Sequence, residues 1–522
     1  MRYTITTFFL CLAIWGFGQD SRKAPNILFC ISDDQSFPHA SAYGTTWVNT
    51  PGFDQVAESG ILFWKAYTPN AKCSPSRSVI LTGRNSWQLE DAANHVPYFP
   101  EKFGTFAEAL REHGYHTGYT GKGWAPGDPG HRNGRKRELI GPAYNEHTTA
   151  TPARHISTND YSANFESFLQ ARNDNAPFFF WYGGFEPHRQ YEFAAGITKG
   201  GKSMDQIDHV YEFWPDNDTV RTDILDYAYE IEYFDQHLVR MLEILERRGE
   251  LDNTIVVVTS DNGMPFPRIK GQSYEPSNHL PLAIMWKNGI ENPGREYHAF
   301  VSFTDLAPTF LDLAGVDEAS NGMHPMEGNS LVPVLENRND PHQRSYMVIG
   351  KERHDLGRPD DVGYPIRGII QNDYLYLINY KPNRWPAGNP ETGYMNTDGS
   401  PTKTFILHER RTTGKRLYWD WNFGMNPEEE LYHLAGDPDC VINLIGHDDR
   451  HRGLRDEMRA TLEQELRAEG DPRMDGRGDL FDQYPYAQDN RNFYNRFVRG
   501  EKLRAGWINQ SDIEGNRSTN DP

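Results

Sequence analysis

Cysteine is scarce in this chain, with four in 522 residues, too few for a fold built on disulfides. Long apolar runs are missing too. A stretch from Ile5 to Phe17 falls short of the roughly 20 residues that span a bilayer, and no other stretch is long and apolar enough to do so. Preceded by one arginine and followed by small and polar residues, it reads as a secretory signal peptide over residues 1–19. An exported protein, periplasmic or secreted and without a membrane anchor, is expected. Positive charge is also in deficit, since 53 Lys and Arg face 73 Asp and Glu for a net charge of -20. That argues against nucleic acid as a partner, because phosphate binding wants a basic face. An anionic substrate would need a local cationic pocket, and the densest basic run, His131 to Arg137, reads equally well as a solvated loop. There is no internal repeat and no low-complexity tract.

What is present is a globular composition, 37% hydrophobic and 13% aromatic, on a chain long enough for two or three domains. Short β-type runs alternate with helical ones from Pro25 to about Gly315. NILFCIS (26–32), PFFFWYGG (177–184) and TIVVVTS (254–260) read as core strands, and GTFAEALREHGYHTGYTGKG as a helix, a glycine stop at Gly114, then a strand. Ile224, Tyr227, Ile231, Phe234, Leu238, Leu242 and Leu245 recur every three or four residues, which predicts one long amphipathic helix. The class is α/β, a large mostly parallel sheet flanked by helices. The texture shifts after Tyr346 to aromatics, Pro, Gly and Asn. We expect a catalytic domain over 24–345 and a smaller α+β subdomain over 346–470, with a short antiparallel sheet and a helix from about Arg450 to Ala468. A polar tail over 471–522 would follow.

In open α/β sheets, ligands gather outside the carboxyl ends of the strands. Two predicted strands end in Asp33-Asp34 and in Asp261-Asn262, so three carboxylates and an amide carbonyl are expected to converge. Such a set suits a hard divalent cation, Ca²⁺ or Mg²⁺, and suits zinc poorly. Each pair alone reads more readily as a cap or turn. Cys73 stands in AKCSPSRSVILTGR, among Lys, Ser, Pro and Arg, a polar setting that favours chemistry over packing. Taken alone it also reads as a buried thiol, or as half of a disulfide with Cys30 or Cys440.

CSPSR, followed after three residues by LTGR, resembles the signature of the type I sulfatases, in which the cysteine is converted after translation to formylglycine (3-oxoalanine). Cys73, Pro75, Arg77, Thr82 and Gly83 stand in register with it. The likeness runs on through PNILFCISDDQ, TGKG, EPHR, TSDNGMPFP and ELYHLAGDPDCVINL. It is nearest to the branch holding the heparan N-sulfatases and relatives that act on algal polysaccharides such as ulvan. The resemblance implies an alkaline phosphatase-like fold and a calcium-dependent hydrolase, with magnesium as the alternative ion. A sulfated poly- or oligosaccharide is the implied substrate, and a formylglycine-generating or anaerobic sulfatase-maturating enzyme a partner. It further implies Asp33, Asp34, Asp261, Asn262 and the modified Cys73 as metal ligands, Arg77 holding the nucleophile, and Lys122, His188 and Lys270 on the sulfate, with His188 as proton donor. In one departure, Trp124 stands where many members have a histidine, leaving that work to His188 or to a replacement such as His279 or His354. The fold would also place Glu352, Arg353 and His354 of GKERHD beside the sugar, although a solvated loop is an equal reading there. The rival functions are a phosphoryl or phosphonate hydrolase of the same superfamily and a non-catalytic carbohydrate-binding protein that has kept the fold.

Overall fold

The apolar runs become the strands of one eight-stranded sheet. In space the order is His116–Gly121, Phe178–Gly183, Asn26–Ser32, Thr254–Ser260, His279–Met285 and Ile61–Tyr67. The short strands Arg295–Tyr297 and Val301–Ser302 both pair with the last of these. All run parallel except His279–Met285, which is antiparallel to both its neighbours. The computed structural model describes residues 24–173, 176–446 and 449–514, so the expected signal peptide lies outside the described residues.

Parallel strands covered on both faces should be apolar throughout, and every residue of FFFWYG and TIVVVTS is buried. Alternation decides which layer each side chain joins. Ile27, Phe29 and Ile31 pack with the helices Cys73–Thr82, Phe106–Glu112 and Leu306–Ala314. Leu28 and Cys30 face the other layer, which contains Tyr161–Ala171 and the long helix Asp218–Arg247. The seven apolar positions predicted for that long helix are all buried. Cys30, Cys73 and Cys440 are buried free thiols, so no disulfide links them.

A second sheet of four antiparallel strands, Tyr346–Lys351, Ile366–Gln371, Tyr374–Asn379 and Glu429–His433, is covered by the helix Arg452–Ala468 through Met458, Leu462 and Leu466. It is fused to the large sheet, since the Gly350 N–H donates to the Pro69 carbonyl (2.7 Å) and Tyr67 and Tyr274 share its core. The segment from 471 to 514 differs from the expected polar tail. Its spaced aromatic and apolar residues Tyr486, Phe493 and Ala505 pack on Val96, Leu356 and Met395, and Asp471 pairs with Arg367. The polar residues between them mask that pattern in the sequence.

Candidate active site

Five strands run in one direction toward the same edge, and the segments after them converge there. Asn26–Ser32 delivers Asp33 and Asp34, Thr254–Ser260 delivers Asp261 and Asn262, and His116–Gly121 delivers Lys122. Phe178–Gly183 leads to His188, and Ile61–Tyr67 to the helix Cys73–Thr82. Local backbone fixes the approach. Gly121 has φ +73, and a Cβ there would collide with the Gly183 carbonyl, so only glycine lets the chain turn Lys122 inward. Asp34 holds the left-handed φ of 75 that a non-glycine residue rarely adopts, a strain common at functional sites.

Cys73 opens its helix, with Pro75 in the first turn where a missing N–H costs little, and Gly83 closes it at φ 66. All ten residues are buried, so the helix shows no polar face. Arg77, one turn along from Cys73, binds the elements together. Its Nε donates to Asp261 Oδ2 (2.8 Å), Nη1 to the carbonyls of Lys122 and Gly123 (2.8 Å each) and Nη2 to Asp33 Oδ1 (3.4 Å). Lys122 Nζ lies 2.7 and 2.6 Å from the two oxygens of Asp33. Lys270 Nζ bridges Asp34 (2.6 Å) and Asp398 (2.8 Å).

Ligand atoms of Asp33, Asp34, Cys73 and Asp261 all lie within 4.8 Å of one another, and all four residues are buried. Cys73 Sγ is 3.5 Å from Asp33 Oδ1 and 3.8 Å from Asp34 Oδ1. The Asn262 amide nitrogen donates to Asp34 Oδ1 (2.6 Å), while its Oδ1 is buried without a hydrogen-bond partner. Three carboxylates with an orphaned amide oxygen fit a hard divalent cation. Arg77, Lys122 and Lys270 stand against Asp33, Asp34, Asp261 and Asp398, three cations to four carboxylates, so one divalent ion would turn the balance positive.

Burial opposes charge at Asp33, but Lys122, His188 and Arg77 outweigh it and hold the carboxyl at about 2. Burial likewise opposes charge on Lys270, yet Asp34 and Asp398 raise its pKa well above the ordinary value. At Cys73 burial, aided by Asp33 and Asp261, overrides Lys122 and Lys270 and pushes the thiol well up. An unmodified thiol here would be protonated and a poor nucleophile.

His188 is the most open of these groups, with its side chain 32% exposed. Nδ1–H donates to the Arg189 carbonyl (2.7 Å), which leaves Nε2 facing Asp34 Oδ2 at 3.8 Å. Trp124 lies against the cysteine helix, its Nε1 donating to Ser78 Oγ (2.8 Å). His279 is stacked between Phe37 and Tyr67 and bonded to Glu275 and the Trp64 carbonyl. His354 sits between the Gly271 carbonyl and Asn70 Oδ1. Both rings are fully engaged and buried, so neither replaces the histidine that Trp124 displaces.

The expected sugar contacts of GKERHD are corrected by burial. Glu352 is held by Arg367 (2.7 Å) and Arg473 (2.8 Å), and Arg353 donates to the carbonyls of Tyr484 and Pro485, while His354 is engaged as above. These charges fasten the small sheet to the C-terminal segment. The basic run His131–Arg137 is not the cationic pocket either, since it forms a small hairpin whose Arg137 pairs with Glu108 (2.6 Å). Sequence reasoning missed Asp398, which lies in the irregular stretch NTDGS. It holds Lys270, and one of its oxygens lies within 4.8 Å of ligand atoms of both Asp34 and His188.

Residues 25–316 match the family model described as Sulfatase, and residues 269–380 match N-sulphoglucosamine sulphohydrolase, C-terminal. Human N-sulphoglucosamine sulphohydrolase is 26% identical over 492 residues, covering 87% of this chain and 92% of that protein. An ulvan-active sulfatase of Formosa agariphila is 24% identical, covering 86% of this chain and 81% of its own. Among solved structures, a protein in complex with its substrate D-glucosamine-2-N,6-O-disulfate shares the fold at TM-score 0.61 and 21% identity, covering 86% of this chain and 99% of that one. A phosphonate monoester hydrolase of Agrobacterium radiobacter shares it at TM-score 0.58 and 20% identity, covering 85% of this chain and 95% of that one. The alkaline phosphatase-like architecture therefore serves more than one ester chemistry. With the first family model spanning more than half of its length and enclosing most of the charge cluster at the strand ends, this chain belongs to the sulfatase family, hydrolases of sulfuric esters.

Proposed function

We propose that this sulfatase removes sulfate from a sulfated carbohydrate, as an O-ester or an N-sulfate, during breakdown of ulvan or a glycosaminoglycan. The nucleophile is formylglycine made from Cys73 by a maturating enzyme, working beside a Ca²⁺ or Mg²⁺ ion in an exported protein, periplasmic or secreted. The observation that carries this reading is the meeting of Cys73 with Asp33, Asp34 and Asp261 inside a ring of three cations.

Held by Asp33, Asp34, Asp261, Asn262 and side chain 73, the cation would neutralise sulfate charge and lower the pKa of a bound hydroxyl. Formylglycine at residue 73, once hydrated, would supply two hydroxyls, one to attack sulfur as the bond to the leaving oxygen or nitrogen breaks and one to expel sulfate and restore the carbonyl. Arg77 ties the cysteine helix to Asp33 and Asp261, so the attacking group approaches from a fixed direction. Lys122 and Lys270 place positive charge where the sulfuryl oxygens gain negative charge. Asp398 orients the Lys270 ammonium. His188, with Nδ1–H committed to a carbonyl, presents Nε2 to the departing oxygen or nitrogen and gives it a proton as the bond to sulfur breaks. The positive end of the cysteine helix also favours an anion at residue 73.

The test is sulfate release from defined O-sulfated and N-sulfated oligosaccharides, with phosphate and phosphonate esters run alongside. Sulfate release that stops on chelation and in Cys73→Ala supports the reading. Preferential cleavage of the phosphorus esters would replace it with the phosphohydrolase alternative.

A further inference from the structure

Immediately beyond His188 and Asp398 the same two loops wall a second cavity. Arg189, Gln190 and Phe193 form one side and Gly399 to Pro401 the other, around a space of about 400 Å³. That volume falls in the range of about 300–1,000 Å³ typical of small-molecule sites. Residues adjacent in the chain are about 3.8 Å apart, so the wall of this cavity begins one residue from two groups of the sulfate site. By contrast, the cavity of about 280 Å³ at the amino ends of the strands, lined by Asn26, Arg172 and Glu250, already has its charges paired at 2.6 Å.

Uncommitted groups line the larger cavity. Phe193 is 60% exposed, although a large aromatic side chain gains by burial. The side chains of Gln190 and Ser511 are exposed and make no hydrogen bond among the described residues. An aromatic face beside a free amide and a free hydroxyl suits a sugar ring, which has apolar C–H faces and an equatorial rim of hydroxyls. Electrostatics narrow the choice. Arg189, the basic residue among the lining groups, has its charge paired by Asp223 (2.7 and 2.9 Å) and also donates to the Pro265 carbonyl (2.8 Å). Asp223 is neutralised by that pairing, and Asp226, held by the N–H groups of Ala194 and Gly196 (2.8 Å each), remains as the wall's carboxylate without an ion-pair partner among the described residues. An anionic ring would meet that carboxylate with no free cation to offset it.

We infer that this cavity is a subsite for a second, uncharged sugar residue, attached to the one whose sulfate lies at Cys73. This rests on the sulfatase reading above. The enzyme then prefers a disaccharide or longer chain with a neutral neighbour over a sulfated monosaccharide.

The experiment compares kcat/KM for a sulfated monosaccharide, for the same residue linked to xylose, and for the same residue linked to glucuronate. The xylose-linked substrate should be the best of the three. Phe193→Ala should lower its kcat/KM about tenfold, the size of one aromatic contact, and leave the monosaccharide unchanged. An equal loss on both substrates, no loss on either, or a preference for the glucuronate neighbour overturns the proposal. Saturation-transfer NMR with unsulfated xylotetraose gives a readout that does not need sulfate release. Binding seen in the wild type and lost in Phe193→Ala supports the subsite even if no tested sulfate is cleaved, in which case only the sulfatase reading falls. Absence of xylotetraose binding in a protein that does release sulfate overturns the subsite alone.

Discussion

Two buried charge clusters in this molecule use the same residue types to opposite ends. Beneath the small sheet, Arg367 pairs with Asp471 and Glu352 at 2.7 Å each, and Arg473 closes on Glu352, so two arginines meet two carboxylates. At the strand ends of the large sheet, four carboxylates meet three fixed cations, and a buried amide oxygen is left without a partner. The first cluster is closed and acts as a fastener. The second can be completed by an ion and an anionic substrate. Saturation of charge, more than its density, separates structural from reactive clusters here.

Mutation should separate the two clusters. Cys73→Ala should abolish sulfate release, by about 10⁶-fold if the nucleophile is lost outright, while a thermal melt stays close to wild type. Arg367→Met should do the reverse. It leaves Asp471 buried without a cation and Glu352 with Arg473 alone, a cost of about 3–5 kcal/mol in urea unfolding, with activity per folded molecule retained. A smaller effect is expected of Asp398→Asn, which keeps the shape but loosens Lys270 and should lower kcat/KM about 10–100-fold without a comparable loss of stability.

A half-buried carboxylate, Glu469, gives a third case. Glu469 accepts hydrogen bonds from Trp87 Nε1 (2.7 Å) and Asn85 Nδ2 (2.8 Å), with no cation in hydrogen-bond reach among the described residues. Burial, reinforced by Glu327, pushes its carboxyl up to about 8. The folded state therefore binds a proton that the unfolded state has already released above about 4.5. Stability should fall as pH rises from about 4.5 to about 8, by at most about 1.4 kcal/mol per pH unit, and then level off. Glu469→Gln should flatten that slope in urea titrations between these limits.

Much of the fold was legible because burial on both faces forces continuous apolar runs, as in NILFCIS and TIVVVTS, and because the long helix repeats its apolar residues at helical spacing. The strand-end acids were legible for a geometric reason, since parallel strands deliver the residues after their carboxyl ends to one edge. Asp398 was not, because it comes from an irregular loop that no periodicity marks and gains its place only when the C-terminal part docks. The charges of GKERHD misled because sequence shows how many charges lie together but not whether partners over a hundred residues away, such as Arg473, already satisfy them. The packing of residues 471–514 was hidden in the same way, by polar residues set between the few aromatic anchors.

In the proposed mechanism side chain 73 works as an aldehyde set against a cation held by acidic oxygens. Mass spectrometry of the peptide carrying residue 73, taken from protein of measured specific activity, tests it most directly. Sulfate release should rise in proportion to the fraction of aldehyde at that residue. Full activity from material that carries only the intact thiol would contradict the account.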